Sequence, residues 1–291
     1  MLKIGLPGGK SLQEGVLSLF ADAGITLMQS ERRDTVLFPD YRGLREGIFL
    51  KTNRIPLAVE AGFCDIGITG EDVVLESDAD VEICTRLSFG RSTSGETRGV
   101  LFCAVNDSAQ RAKDVPDGAT VLSEYPFLTR RFFEGLGKSV EVAYTTGTCE
   151  AEVPNRYRFG VALSETGKSL RENGLRPIAE LFASATCLVA NKQALLSADK
   201  GRAIENLQAV LLGILEARGK VLLAVNVPAS SVEEVIRYLP ALGSPTVAQL
   251  ADGGSSVSIV TTQAEMNRLV PRLRDLGGTG IIATPIISII P

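Results

Sequence analysis

Phe159-Gly160-Val161-Ala162-Leu163-Ser164-Glu165-Thr166-Gly167-Lys168-Ser169-Leu170, running on through Arg171-Glu172-Asn173-Gly174-Leu175, is the stretch from which the fold is read. Phe159 to Leu163 is apolar and has the length of a buried strand. Lys168 to Asn173 then reads as a short helix, and Gly174 stands where a helix stop belongs. A buried strand handing over to a helix through a short turn is the repeating unit of an α/β domain. The turn itself, Thr166 to Ser169, has the parts of a phosphate cradle. Backbone N–H groups point out of a helix start and favour an anion. Gly167 allows close approach, Thr166 and Ser169 add hydroxyls, and Lys168 adds a positive charge. A capped helix start with a solvated lysine would carry the same four residues. The stretch is not a P-loop, because Ala162 stands where that motif needs a glycine.

The pattern of strand, turn and helix recurs upstream. Residues 2–7 form a strand that ends in Pro7-Gly8-Gly9-Lys10-Ser11, followed by a helix from about Leu12 to Ala23. This is a second candidate anion or nucleotide turn, with a plain strand–helix loop as the alternative. Residues 35–50 read as a hairpin excursion, and Ile55 to Gly62 as a short helix closed by glycine. Cys64 to Ile68 is a buried strand, and Thr69-Gly70-Glu71-Asp72 turns into the next helix. Strands follow at 81–87, 99–106, around Val121 and at 140–144, with a polar crossover over 89–98 and a basic helix over 129–135. Arg130 and Arg131 on that helix read as cleft or interface cations. Thr145-Thr146-Gly147-Thr148-Cys149-Glu150 is a hydroxyl-rich turn. Ala185 to Asn191 reads as a strand returning to the first lobe, and Ala203 to Ala217 as an amphipathic helix.

From residue 219 the pattern is β-α-β-β-α-β: strands at 221–227, 246–251, 256–262 and 281–290, helices at 232–239 and 266–276. That is a ferredoxin-like α+β module. The expected architecture is two α/β lobes around a cleft, plus this module. Residues 1–98 with 184–218 make one lobe, 99–183 the second, and 219–291 the last domain. Ligands in open α/β sheets bind at the carboxyl ends of strands, where the four turns lie.

Composition narrows the chemistry. The 291 residues are 45% hydrophobic and 22% charged, the balance of a globular protein, and the apolar runs are too short to span a bilayer. Net charge is −4 without a basic block, which gives no footprint for nucleic acid. The start of the chain lacks a signal-peptide layout, so a cytoplasmic protein is expected. Five scattered cysteines form no C-x-x-C pair and are expected to be reduced, mostly buried thiols. There is no histidine, which removes every Ser-His or Cys-His nucleophile system and every histidine metal ligand. What remains is carboxylate, hydroxyl, lysine, arginine and backbone chemistry, which suits phosphoryl-bearing substrates with magnesium.

Four segments in order carry a family resemblance: Gly62-Phe63-Cys64-Asp65-Ile66-Gly67-Ile68-Thr69-Gly70-Glu71-Asp72; Ser123-Glu124-Tyr125-Pro126-Phe127-Leu128-Thr129-Arg130-Arg131-Phe132-Phe133; Glu165 to Leu170 with Asn173-Gly174-Leu175; and Leu239-Pro240 with Ser244-Pro245-Thr246. Through them the chain resembles the long form of the ATP phosphoribosyltransferases over nearly its whole length. The resemblance implies a two-lobed core like that of periplasmic binding proteins and a C-terminal ferredoxin-like, ACT-like domain. It implies transfer of a phosphoribosyl group from phosphoribosyl pyrophosphate to the adenine N1 of ATP, with Mg2+, as the first step of histidine biosynthesis. Thr166, Gly167, Lys168 and Ser169 would then hold the ribose 5-phosphate, with Arg158 as a further phosphate cation. Glu150 and Glu165 would be the catalytic carboxylates, and Gly9, Lys10, Ser11, Thr69, Gly70 and Glu71 the nucleotide contacts. Asn226, Ser244 and Thr246 would bind histidine as an inhibitor, in a homodimer or homohexamer.

The sequence also departs from the family pattern. An aspartate four positions before the loop threonine is Ala162, and an earlier one falls on Arg158 or Phe159. A regulatory aspartate is Asn226, and an arginine near the N-terminus is absent from Lys10-Ser11-Leu12. Two alternatives therefore stand beside the family reaction: transfer to another acceptor, and a non-catalytic nucleotide- or phosphoribosyl-binding regulatory protein.

Overall fold

The computed structural model describes residues 1–31, 34–87, 96–239 and 244–290, without the side chains of Lys10 and Ser11. The chain divides into two compact units, Met1–Leu211 and Leu212–Pro291.

The first unit opens with β1 (Leu2–Pro7), α1 (Lys10–Asp22), β2 (Met28–Gln29), β3 (Thr35–Leu37) and β4 (Leu44–Leu50). It continues through α2 (Ile55–Glu60), β5 (Ile66–Gly70), α3 (Glu71–Ser77) and β6 (Glu82–Leu87). β1 lies parallel to β4 and β5, and Leu2, Ile4, Leu6, Ile66 and Ile68 are fully buried. Strands covered on both faces read as near-continuous apolar runs, which makes them legible. The second half holds β7 (Glu96–Ala104), β8 (Thr120–Ser123), α4 (Pro126–Gly135), β9 (Glu141–Tyr144), α5 (Cys149–Glu152), β10 (Phe159–Ser164) and α6 (Lys168–Glu172). Here β8 runs parallel to β9 and β10, while β7 is antiparallel to β10. Alternate residues of β10 serve two cores: Phe159 and Val161 pack with Leu101, Val121 and Phe133, and Ala162 packs with Val100, Phe102 and Leu170.

β11 (Leu175–Ala190) ties the halves together. Leu175–Ala185 pairs with β7, and Thr186–Ala190 pairs with both β5 and β6. The sequence reading starts this strand only at Ala185. Its first ten residues escape a period-two reading because register shifts fall at Pro177/Ala179 and Glu180/Phe182. The described strands of the first unit thus form one hydrogen-bonded path, β2-β3-β4-β1-β5-β11-β7-β10-β8-β9, with β6 on β11. α4 starts at Pro126, three residues before the expected helix, because proline is preset for a first helical turn. Of the expected crossover, residues 88–95 lie outside the described residues, and Glu96–Arg98 already belong to β7. α7 (Lys192–Leu196) and α8 (Ala198–Ala217) follow.

The second unit carries β12 (Lys220–Val227), α9 (Val232–Tyr238), β13 (Thr246–Gln249), β14 (Ser255–Thr262), α10 (Gln263–Asp275) and β15 (Thr279–Pro285). The sheet order is β13-β14-β12-β15 with every pairing antiparallel, the ferredoxin-like arrangement. Leu223, Val225, Val257, Ile259, Leu269 and Leu273 form its core. Among the described residues no helix is long and apolar enough to cross a membrane.

Candidate active site

A cleft of about 700 Å³ opens in the first unit. Arg54, Gly70, Asp72 and Glu76 line it from the half built on β1 and β5. Glu124, Tyr125, Tyr144 and Thr145–Gly147 line it from the half built on β8 and β10, and Thr97, Ser184 and Thr186 come from the crossing strands.

The turn from β5 into α3 is buried and fully engaged. Asp72 is 6% exposed; its carboxylate accepts from the Ser184 hydroxyl at 2.7 Å and from the Tyr125 hydroxyl at 2.8 Å. Its own N–H donates to Ser184 Oγ at 3.0 Å. Gly70 is needed here, since a Cβ would sit 2.2 Å from Asp72 Oδ1. Ser123 Oγ accepts the Tyr125 N–H at 2.8 Å and shares a hydrogen with Thr129 at 2.8 Å. One turn along α3, the Glu76 carboxylate accepts the N–H groups of Phe127 and Leu128 at 2.9 and 3.0 Å. α4 has no side-chain cap of its own, and Glu76 fills that role from the opposite wall. Burial pushes the Glu76 carboxyl above its usual value, and the two N–H donors only partly offset this. Thr69 is fully buried with its hydroxyl on the Thr52 carbonyl at 3.3 Å. Glu71 is 5% exposed and accepts from Arg86 Nε at 2.7 Å and the Ala185 N–H at 3.2 Å. So of the three residues expected to contact a nucleotide here, Gly70 lines the cleft while the side chains of Thr69 and Glu71 are spent on the protein itself.

The turn from β10 into α6 is open. Glu165, Thr166, Lys168 and Ser169 are exposed or half-buried. Gly167 is left-handed, with φ +68° and its N–H on Ser164 Oγ at 3.1 Å. The first helical bond runs from the Arg171 N–H to the Gly167 carbonyl at 3.1 Å, leaving the N–H groups ahead of it at the turn. Arg171 also donates to the Thr166 carbonyl at 2.9 Å. Ser169 Oγ donates to Glu150 at 3.2 Å. Glu150 lies on α5, directly after the Thr145–Gly147 cleft wall, so the expected carboxylate and the expected phosphate turn meet. Residues 166–169 do not line the cleft itself; they stand beside it through this contact.

Arg158 lies elsewhere. It precedes β10, at the end of the strand opposite the turn, and its guanidinium binds Asp107 at 2.8 and 2.9 Å and Ser108 at 3.2 Å. Arg158 holds the Asp107 carboxyl down at about 2. The guanidinium makes this two-point bond at the end of β10 away from the Thr166–Ser169 turn, so the structure does not bring it to that turn. Ala162 is 4% exposed in an apolar cluster with Phe102, Leu122, Cys149 and Leu170. Burial pushes Cys149 up to about 12 and Cys64 to about 11, which disfavours their thiolates. Gly9 is the extended N-cap residue of α1. The side chains of Lys10 and Ser11 lie outside the described residues, as does Pro240. Arg130 and Arg131 do not line the cleft. In the second unit, Asn226 and Thr246 lie two strands apart on one face of the sheet, by the registers Asn226↔Ser256 and Thr246↔Ser258. Ser244 is exposed just ahead of β13.

The model of the ATP phosphoribosyltransferase family matches residues 51–213, and that of the HisG C-terminal domain matches residues 217–288. The chain is 34% identical over 290 residues to the ATP phosphoribosyltransferase of Koribacter versatilis (strain Ellin345), covering 99% of each chain. It is 37% identical over 285 residues to that of Nitratidesulfovibrio vulgaris (strain DSM 19637 / Miyazaki F), covering 97% of this chain and 96% of the relative. The chain belongs to the ATP phosphoribosyltransferase family. Among solved structures, the ATP phosphoribosyl transferase (HisG:HisZ) complex from Thermotoga maritima shares the fold, with a TM-score of 0.60 at 23% identity over 73% of this chain and 99% of that one.

The ATP phosphoribosyltransferase match to residues 51–213 takes in both turns and all the cleft residues named above. Sequence reasoning gave no role to Arg54, Asp72, Glu76, Tyr125, Tyr144 or Ser184. Asp72 and Tyr125 sat inside the segments that carried the resemblance, yet their mutual hydrogen bond spans 53 positions and no local pattern encodes it. Arg54, directly before Ile55-Pro56, was the more readable signal: a cation at the mouth of a strand-to-helix connection.

Proposed function

We infer that this chain is an ATP phosphoribosyltransferase of the first step of histidine biosynthesis, joining adenine N1 of ATP to C1 of phosphoribosyl pyrophosphate with release of pyrophosphate. The full-length match to that family is the observation that carries the reading. We assign the sugar 5-phosphate to the open turn Thr166–Ser169. The exposed N–H groups, the Ser169 hydroxyl and Lys168 suit a phosphate, and Glu150 stands beside them to take a ribose hydroxyl. Glu165, exposed on the same turn, is the second carboxylate in reach. Arg54 is the single cation among the described cleft-lining residues and suits a polyphosphate tail. Gly70 and Gly9 border the nucleotide side. Attack at C1 needs the adenine nitrogen held in line with the departing pyrophosphate, so positioning and charge stabilisation do most of the work.

Magnesium fits as a substrate-borne ion. Among the described residues no group of three or more Asp, Glu, Cys or His converges on a metal position. Asp72 is engaged by Ser184 and Tyr125, while Glu150, bonded to Ser169, is a carboxylate anchor beside the turn. Mg2+ would supply charge neutralisation of the pyrophosphate. Residues 219–291 serve as the regulatory domain, with histidine near Asn226, Ser244 and Thr246. The neutral Asn226 amide replaces a charge-assisted bond to the ligand ammonium, so inhibition should be weak. Residues 1–98 with 184–218 and residues 99–183 are the two catalytic lobes of a cytoplasmic homo-oligomer, dimer to hexamer. A different nitrogenous acceptor is favoured by one observation, the apolar surroundings of Ala162, where the family pattern has a carboxylate. Incubation with magnesium, phosphoribosyl pyrophosphate and either ATP or other nucleotides separates these readings. Equal release of pyrophosphate and of an ATP adduct supports the inference; tight nucleotide binding without pyrophosphate release overturns it.

A further inference from the structure

We propose that Tyr144 is the purine platform of the cleft, its ring stacking on the adenine of the bound nucleotide and so selecting an aromatic acceptor. The proposal rests on the reading that ATP is that acceptor. Among the described residues two aromatic side chains line the cleft, Tyr125 and Tyr144, and they are used differently. Tyr125 is 8% exposed, its hydroxyl is held by Asp72 and its ring meets Phe182 edge-on at 5.1 Å. Tyr144 is 64% exposed, so it presents a bare ring to the cavity. A large aromatic left uncovered inside a cleft is a surface that a flat ligand can cover.

The backbone around Tyr144 is fixed on both sides. It ends β9, paired with Ser123 at the carboxyl end of parallel strands. Next to it the Thr145 N–H donates to the Ser123 carbonyl at 3.1 Å, and the Gly147 N–H donates to Glu124 at 2.8 Å. A ring on a held backbone loses little freedom when a base stacks on it. Leu57 and Leu163 add apolar wall, while Arg54 offers the cation for the phosphate tail. Glu150 follows on the next helix and touches Ser169, so a base on Tyr144 lies on the sugar-phosphate side of the cleft. Phosphoribosyl pyrophosphate has no π-face, so the ring discriminates between the two substrates.

The chain has no tryptophan, so Tyr144→Trp in the full-length protein introduces a single indole fluorophore at an exposed position. Titration with ATP alone should quench it saturably, AMP should do the same, and phosphoribosyl pyrophosphate should leave it unchanged. Tyr144→Ala should raise the Kd and KM for ATP about tenfold, with the KM for phosphoribosyl pyrophosphate unaltered. Tyr144→Phe, which keeps the ring, should restore wild-type ATP affinity. Indole emission from the Tyr144→Trp variant that is indifferent to ATP, at concentrations that calorimetry shows to be saturating, overturns the proposal. Unchanged ATP affinity in Tyr144→Ala overturns it too, as does quenching by phosphoribosyl pyrophosphate instead of ATP. These binding readouts decide the role of Tyr144 even if turnover is absent, whereas absent turnover in the wild type counts against the transfer reaction itself.

Discussion

One strand-to-helix turn lines the cleft, another stands beside it, and the two are built in opposite ways. The turn from β5 into α3 is buried, and both carboxylates at its head accept hydrogen bonds from protein donors. The turn from β10 into α6 is open, and its hydroxyl and lysine face outward with only light engagement. In sequence they look alike: an apolar strand, then Thr-Gly, then polar residues opening a helix. The difference shows that a strand–turn–helix pattern locates a helix start but not what satisfies it. One start is bonded to the protein across the cleft; the other is exposed to solvent.

Breaking the buried environment should have the largest effects. Ala162→Asp places a carboxylate among Phe102, Leu122, Cys149 and Leu170. An uncompensated buried charge costs about 3–5 kcal/mol, so urea unfolding at pH 8 should show that loss, partly relieved at pH 4 where the carboxyl protonates. An undiminished midpoint would mean that the cluster opens to water. Asp72→Ala strips the partner from two buried hydroxyls, Tyr125 and Ser184, and should cost about 3 kcal/mol in the same measurement. Gly167→Ala, in the open turn, should cost only about 1–2 kcal/mol, the penalty of a left-handed backbone for a residue with Cβ, which would also sit 3.0 Å from Arg171 Nη1.

The smallest effects are in pH dependence, and two carboxyls have opposite signs. Arg158 lowers Asp107 from 3.8 to about 2, so this group contributes stability above its unfolded value that is lost as pH falls through that window. Burial raises Glu76 from its ordinary 4.5, so its contribution is full below that value and is lost as pH rises through the raised one. Comparing Asp107→Asn and Glu76→Gln with the wild type by thermal melts from pH 2 to 8 should therefore give difference curves of opposite slope. Parallel curves would contradict the assigned environments.

Much of this was legible. The parallel strands and the C-terminal module could be read because burial and alternation leave period signals, as in Leu223, Val225 and Val227 on one face of β12. The open turn and Glu150 can be singled out in the sequence because their residue types suggest a chemistry, and the structure brings the two together through the Ser169–Glu150 hydrogen bond. Arg158 is readable only in part: a basic side chain next to an apolar strand reads as a ligand cation, and the sequence does not reveal its ion pair with Asp107, 51 positions away. The same holds for Thr69 and Glu71, since nothing local reveals that their side chains bond to Thr52 and Arg86.

The central claim, that the open turn holds the phosphate while the buried turn holds the protein, is tested most directly by calorimetric titration of phosphoribosyl pyrophosphate. Wild type, Ser169→Ala and Lys168→Ala would be titrated without ATP. Each variant loses a hydrogen bond or charge to phosphate worth about 1.5–3 kcal/mol, so affinity should fall at least tenfold with the unfolding midpoint unchanged. Wild-type affinity in both variants would place the phosphate elsewhere and contradict the account.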